Sequence, residues 1–133
     1  MKRFHLIFGL AVVVVFLLTG QYMDRYHHHL MYMSDGPRML YRTRHIFILL
    51  AGLLHLGIGA YFSYRVGGVR RALQIVGSIM ITVAPVLFTI AFFYEPHLDD
   101  LNTPLSLSGT ILIAVGTLLH LFSGVAKRNK TIN

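Results

Sequence analysis

Four stretches of this chain contain no aspartate, glutamate, lysine or arginine: residues 4–23, 45–64, 72–94 and 101–126, which are 20, 20, 23 and 26 residues long. As helices rising about 1.5 Å per residue, all four are long enough to cross a hydrocarbon layer about 30 Å thick. The runs lack the alternation of a half-buried strand, and in lipid a helix satisfies its own backbone N–H and C=O groups. The sequence therefore predicts an all-α membrane protein, a four-transmembrane-helix bundle with helices at about 4–23, 45–64, 72–94 and 105–126. Only 13% of the 133 residues are charged. Little chain is left for a soluble domain, so residues 1–133 are expected to form a single integral membrane domain.

The first run follows Met1, Lys2 and Arg3, a basic start that a secretory signal would also have. The LTGQYM segment after it has no small-x-small cleavage site and the run nearly reaches spanning length, so it is kept as a helix. The chain has no cysteine. Disulfides, a lipoprotein anchor, thiolate metal sites and c-type haem attachment are thereby excluded.

The formal charge of +7 is unevenly placed. Lys2, Arg3, Arg65, Arg70, Arg71, Lys127, Arg128 and Lys130 fall on one side of the four spans, against Arg25, Arg38, Arg42 and Arg44 on the other. By the positive-inside rule both termini face the cytoplasm, with a short inner loop and a longer outer loop after helix 1. The acidic residues Asp24, Asp35, Glu95, Asp99 and Asp100 then all lie outside. This asymmetry points to a lipid headgroup partner and not to nucleic acid. The seven tyrosines, at 22, 26, 32, 41, 61, 64 and 94, lie at helix ends or in the first loop, where they are expected to act as interfacial anchors.

Helix 1 carries no polar residue between Gly9 and Thr19 and is expected to face lipid most. In helix 3, Pro85 lacks an N–H and should free the carbonyl of Ile81, for which Thr82 or Thr89 is the nearby donor. Helices 2 and 4 share a short pattern: LLHLGIG from Leu53 recurs as LLHLFSG from Leu118. At 100° per residue, His45, Gly52, His55 and Gly59 lie within about 80° on helix 2, and Gly109, Gly116, His120 and Ser123 within about 60° on helix 4. Small-residue faces are where membrane helices approach, so His55 and His120 should point into the bundle. An unpaired imidazole there costs several kcal/mol, so each needs a partner: a serine or threonine on a neighbouring helix, a backbone carbonyl, a metal or a haem iron.

Shifting 46–59 by 65 positions onto 111–124 matches seven of fourteen residues, whereas 4–22 against 69–87 gives no identity. A duplicated hairpin would set His55 and His120 across a pseudo-twofold axis, a geometry suited to two axial ligands of a b-type haem for electron transfer, with His5 as a substitute ligand. A second constellation lies outside. His27, His28, His29, Met31, Met33 and His97 combine imidazole with thioether, donors that suit copper, while imidazole with carboxylate suits copper or zinc. Arg38, Arg42 and Arg44 would sit at headgroup level in a helix starting near Ser34, Asp35 and Pro37, with His45 solvated at its boundary.

No acidic residue falls within a predicted span, which disfavours proton-coupled export. No P-loop, HExxH, GxSxG or dinucleotide fingerprint occurs, so a self-sufficient enzyme is not expected. The expected function is that of a small multi-pass component of a cytoplasmic (inner) membrane, non-enzymatic or accessory, with the His55–His120 haem site as its sharpest form. The alternatives are outer-face copper or zinc handling and an interaction subunit that docks on a protein partner or on copies of itself.

Overall fold

The computed structural model describes residues 1–64, 67–98 and 103–124. Arg65, Asp99, Asp100, Lys127, Arg128 and Lys130, and positions 125–126 of the predicted fourth span, lie outside the described residues.

Among the described residues all regular structure is helical: α1 (Lys2–His27), α2 (Asp35–Tyr61), α3 (Gly68–Tyr94) and α4 (Pro104–Gly124), with 3₁₀ turns at His28–Leu30 and Glu95–His97. All four helices are long and apolar enough to cross a membrane. α2 starts ten residues before the charge-free run at 45, because its arginines find helical settings. Arg38 donates to the Met33 carbonyl at 2.6 Å and stands 3.5 Å from Asp35, while Arg44 is paired inside the bundle. Ser34 is the N-cap residue and Pro37 falls in the first turn, where its missing N–H costs nothing.

α1 packs on α2 and α3 on α4, and the two hairpins join through α2 and α3. The buried positions follow helical stripes: His5, Gly9, Val12 and Thr19 on α1, and Gly77, Ser78, Ile81, Ala84, Pro85 and Phe88 on α3. Helix contact is made by backbone against backbone. A Cβ added at Gly9 would lie 3.0 Å from the Gly52 carbonyl oxygen, one at Gly77 2.8 Å from that of Gly116, and one at Gly59 2.8 Å from the Leu6 nitrogen. These glycines are the small-residue seams through which the helices approach.

α1 and α4 are the most outward-facing, with 17% of their apolar windows buried, against 44% for α3. The expectation of a lipid-facing first helix thus applies equally to the fourth. Tyr41 departs from the anchor expectation: it is buried, edge-on to Phe92 at 5.1 Å and beside His27 at 5.0 Å. It lies on α2's inner stripe with Arg44 and Ile48, and that position outweighs its preference for an interface.

Candidate functional site

Three histidines from three helices meet at the end of the bundle where the chain begins. His5 on α1 and His55 on α2 are fully buried, and their Nδ1 atoms are 2.9 Å apart. His5 Nε2 is 3.1 Å from Ser78 Oγ on α3, and the same oxygen is 3.0 Å from His120 Nε2 on α4. His55 Nε2 is 3.2 Å from the carbonyl oxygen of Ile81. That carbonyl is the one Pro85 leaves without a helical N–H, so the proline on α3 creates the acceptor that the α2 histidine uses. The freed group is taken by His55 and not by the two threonines. Thr82 and Thr89 instead return their hydroxyls to the carbonyls of Ser78 and Pro85 on their own helix.

These contacts fix where the protons sit. A carbonyl only accepts, so His55 donates from Nε2 to Ile81, and its Nδ1, when the ring is neutral, must accept. His5 therefore donates from Nδ1 and accepts at Nε2. The Ser78 hydroxyl donates to His5, leaving its oxygen to accept the proton on His120 Nε2. Three neutral imidazoles and one hydroxyl supply the four protons for four bonds, all running one way from His120 to Ile81. Among these three rings, His120 Nδ1 is the nitrogen left as an open acceptor.

The LLHL histidines both send Nε2 to α3, His55 to Ile81 and His120 to Ser78, three residues apart on one face. Both imidazoles point inward as the small-residue faces predict. The offset of three residues along α3 corresponds to about 4.5 Å of depth, His120 lying nearer the bundle end. His5 sits between them, its ring centroid 5.0 Å from that of His55 and 6.2 Å from that of His120. A shared iron would take a lone pair from each axial ring. Here both Nε2 atoms carry protons committed to α3, so the donor set in this arrangement does not fit a bis-histidine haem. Gly52 and Gly59, on the histidine face of α2, and Gly116, beside His120 on α4, are filled by neighbouring residues and not open to a macrocycle.

Of the second constellation, His27, His28 and Met33 line one small pocket together with Tyr26 and Tyr32. His27, at the end of α1, lies against Tyr22 and Tyr41, and its buried Nε2 has no hydrogen-bond partner. His28 lies by Tyr32, His29 pairs with Asp24 at 2.7 Å, and His97 is 6.2 Å from Tyr41 between ring centroids. Met31 is exposed and Met33 half-buried. Among the described residues no group of three or more histidine, aspartate or glutamate side chains is placed to hold a metal ion.

Two polar clusters escaped the sequence. At the opposite end of the bundle, Arg44 Nε and Nη2 both lie 2.8 Å from Glu95 Oε2, with the two side chains 4% and 1% exposed. Glu95 Oε1 accepts from the backbone N–H groups of Leu105 and Ser106 at 2.9 and 3.0 Å, and the Ser106 hydroxyl donates to Oε2. Glu95, just past α3, thus caps the first turn of α4 and neutralises an arginine of α2. Of the three arginines expected at headgroup level, Arg44 does not present its guanidinium to a headgroup: it turns inward onto the buried Glu95 carboxylate. His45 is likewise not solvated. It bonds Thr19 at 2.9 Å, stacks on Phe16 at 4.0 Å and fits over Gly20.

No known protein family, curated protein or solved structure matches this chain.

Proposed function

We propose that this chain is a non-enzymatic, accessory component of a cytoplasmic membrane, crossing it four times with both termini inside, and that its working part is the His120–Ser78–His5–His55 chain, a buried proton relay. The observation that carries this reading is the unbroken run of four contacts from His120 to the Ile81 carbonyl, which neutral rings satisfy in one direction only. The clustering of Lys2, Arg3, Arg70 and Arg71 at the same end supports the orientation.

A proton arriving at His120 Nδ1 lets the Nε2 proton pass to Ser78 Oγ while the serine proton passes to His5 Nε2. His5 then yields its Nδ1 proton to His55 Nδ1. One proton has entered, and the charge resides on His55, whose Nε2–H still faces the Ile81 carbonyl. Every bond is retained with its direction reversed between His120 and His55. His55 donates to His5, His5 to Ser78, and Ser78 to His120. Return of the proton restores the first state. An oriented carbonyl beside the imidazolium offsets part of the cost of charge in a low-dielectric interior.

Histidine-resolved NMR during acidification tests this reading. In the native protein His55 and His120 are expected to respond together, and in Ser78→Ala only His120 responds. Independent responses in the native protein would contradict the relay. A Soret band from protein made with added haem, lost in His55→Ala, would return His55 and His120 to an iron.

A further inference from the structure

Between the two LLHL stretches lies an open cleft of about 490 Å³, within the range of small-molecule sites. α2 contributes Leu53, Gly57 and Tyr61, and α4 contributes Thr117, His120 and Leu121. A Cβ added at Gly57 would meet nothing within 4 Å, so this glycine keeps the α2 wall low. Phe62, whose ring centroid is 6.2 Å from that of His120, lies at the same site.

Two polar groups on the α4 wall have no protein partner. Thr117 Oγ1 is buried without a hydrogen bond. The Cδ2–Nε2 edge of His120 faces α3, with Nε2 on Ser78 and Cδ2 3.0 Å from where a Gly77 Cβ would stand. The opposite edge carries Nδ1, which the direction of the relay makes an unprotonated acceptor. Thr117 and His120 are three residues apart, so they share a face of α4. A hydroxyl in the cleft would satisfy His120 by donating to its Nδ1. An acyl chain has no donor, and a phosphate headgroup would oppose an acceptor to an acceptor. A flat apolar body bearing the hydroxyl suits walls of leucine, Tyr61 and Phe62.

We propose that this cleft binds a lipid-soluble phenol whose hydroxyl donates to His120 Nδ1, placing a proton-exchanging ligand at the mouth of the relay. The proposal rests on the relay reading, from which the free acceptor follows.

The test titrates detergent-purified protein, labelled with ¹⁵N at histidine, with para-octylphenol and with its methyl ether, which keeps the body and loses the donor. The phenol is expected to bind about tenfold more tightly than the ether, the worth of one hydrogen bond, and to move the His120 Nδ1 resonance. His120→Phe should abolish the preference. Gly57→Leu, which fills the cleft without touching the relay, should abolish phenol binding and leave the His120 tautomer unchanged. Equal affinity for the two probes, as in a groove that takes only acyl chains, overturns the proposal. If the probes bind alike while His120 keeps its proton on Nε2, the phenol site falls and the relay stands. If the proton sits on His120 Nδ1, the relay itself falls and the proposal with it.

Discussion

Pro85 withholds a helical hydrogen bond from Ile81, and His55 supplies one from another helix at 3.2 Å. The proton order of the whole cluster follows from that one acceptor. Ser78 has the opposite character: its hydroxyl joins His5 and His120, and loss of it leaves a buried imidazole acceptor and a half-buried imidazole N–H without partners. Ser78→Ala should therefore cost about 2–4 kcal/mol, since each abandoned polar group costs about 1–3. Thr110→Ala is the matched control, because Thr110 only returns its hydroxyl to the Ser106 carbonyl on its own helix at 2.8 Å, and it should cost less than about 0.5 kcal/mol. Reversible unfolding in mixed micelles compares the two. Equal losses would mean that the bridging serine is an ordinary packing residue.

Each polar cluster ties helices that are distant in sequence. The histidine cluster draws on α1, α2, α3 and α4 at one end of the bundle, and Arg44 with Glu95 and Ser106 joins α2, the end of α3 and the start of α4 at the other. Arg44→Ala should lower stability by about 3–5 kcal/mol, because it strands a buried carboxylate. Combined with Glu95→Gln, which removes that charge but keeps an amide to cap α4, the loss should be smaller than the sum of the two single losses. A double-mutant cycle by unfolding in micelles reads this, and strict additivity would contradict the pairing. These ties explain what the sequence could and could not tell. Charge-free length and small-residue faces revealed the four helices and the inward pointing of His55 and His120. The start of α2 was legible in Ser34, Asp35 and Pro37 but not in charge-free length, and nothing local says that Arg44 meets a carboxylate 51 positions away. Glu95 looked like a loop acid for the same reason. His5 entered only as a substitute haem ligand, because its hydrogen-bond partners are 50 and 73 positions distant.

For the whole molecule, the pairing of α1 with α2 and of α3 with α4 gives two hairpins, and His5 and His120 place the first and last described helices' ends at one end of the bundle. The LLHL likeness does not extend into a shared geometry, since both histidines converge on α3 and not on two symmetry-related helices. The charge distribution predicts that this end is cytoplasmic. Since the chain has no cysteine, single substitutions report cleanly. In intact cells, Tyr32→Cys in the outer turn, where the native side chain is 88% exposed, should react with a membrane-impermeant maleimide. Arg70→Cys should react only after the membrane is opened. The reverse pattern would invert the molecule and set the histidine cluster at the outer face.

The proton order among the histidines is the claim on which the rest depends, and solid-state ¹⁵N NMR of histidine-labelled protein in lipid bilayers measures it directly. At neutral pH, His5 is expected to be protonated on Nδ1 and both His55 and His120 on Nε2, with His5 and His55 coupled through a hydrogen bond between their Nδ1 atoms. His55 found with its proton on Nδ1, or His5 with its proton on Nε2, would contradict the single direction of the chain and the relay built on it.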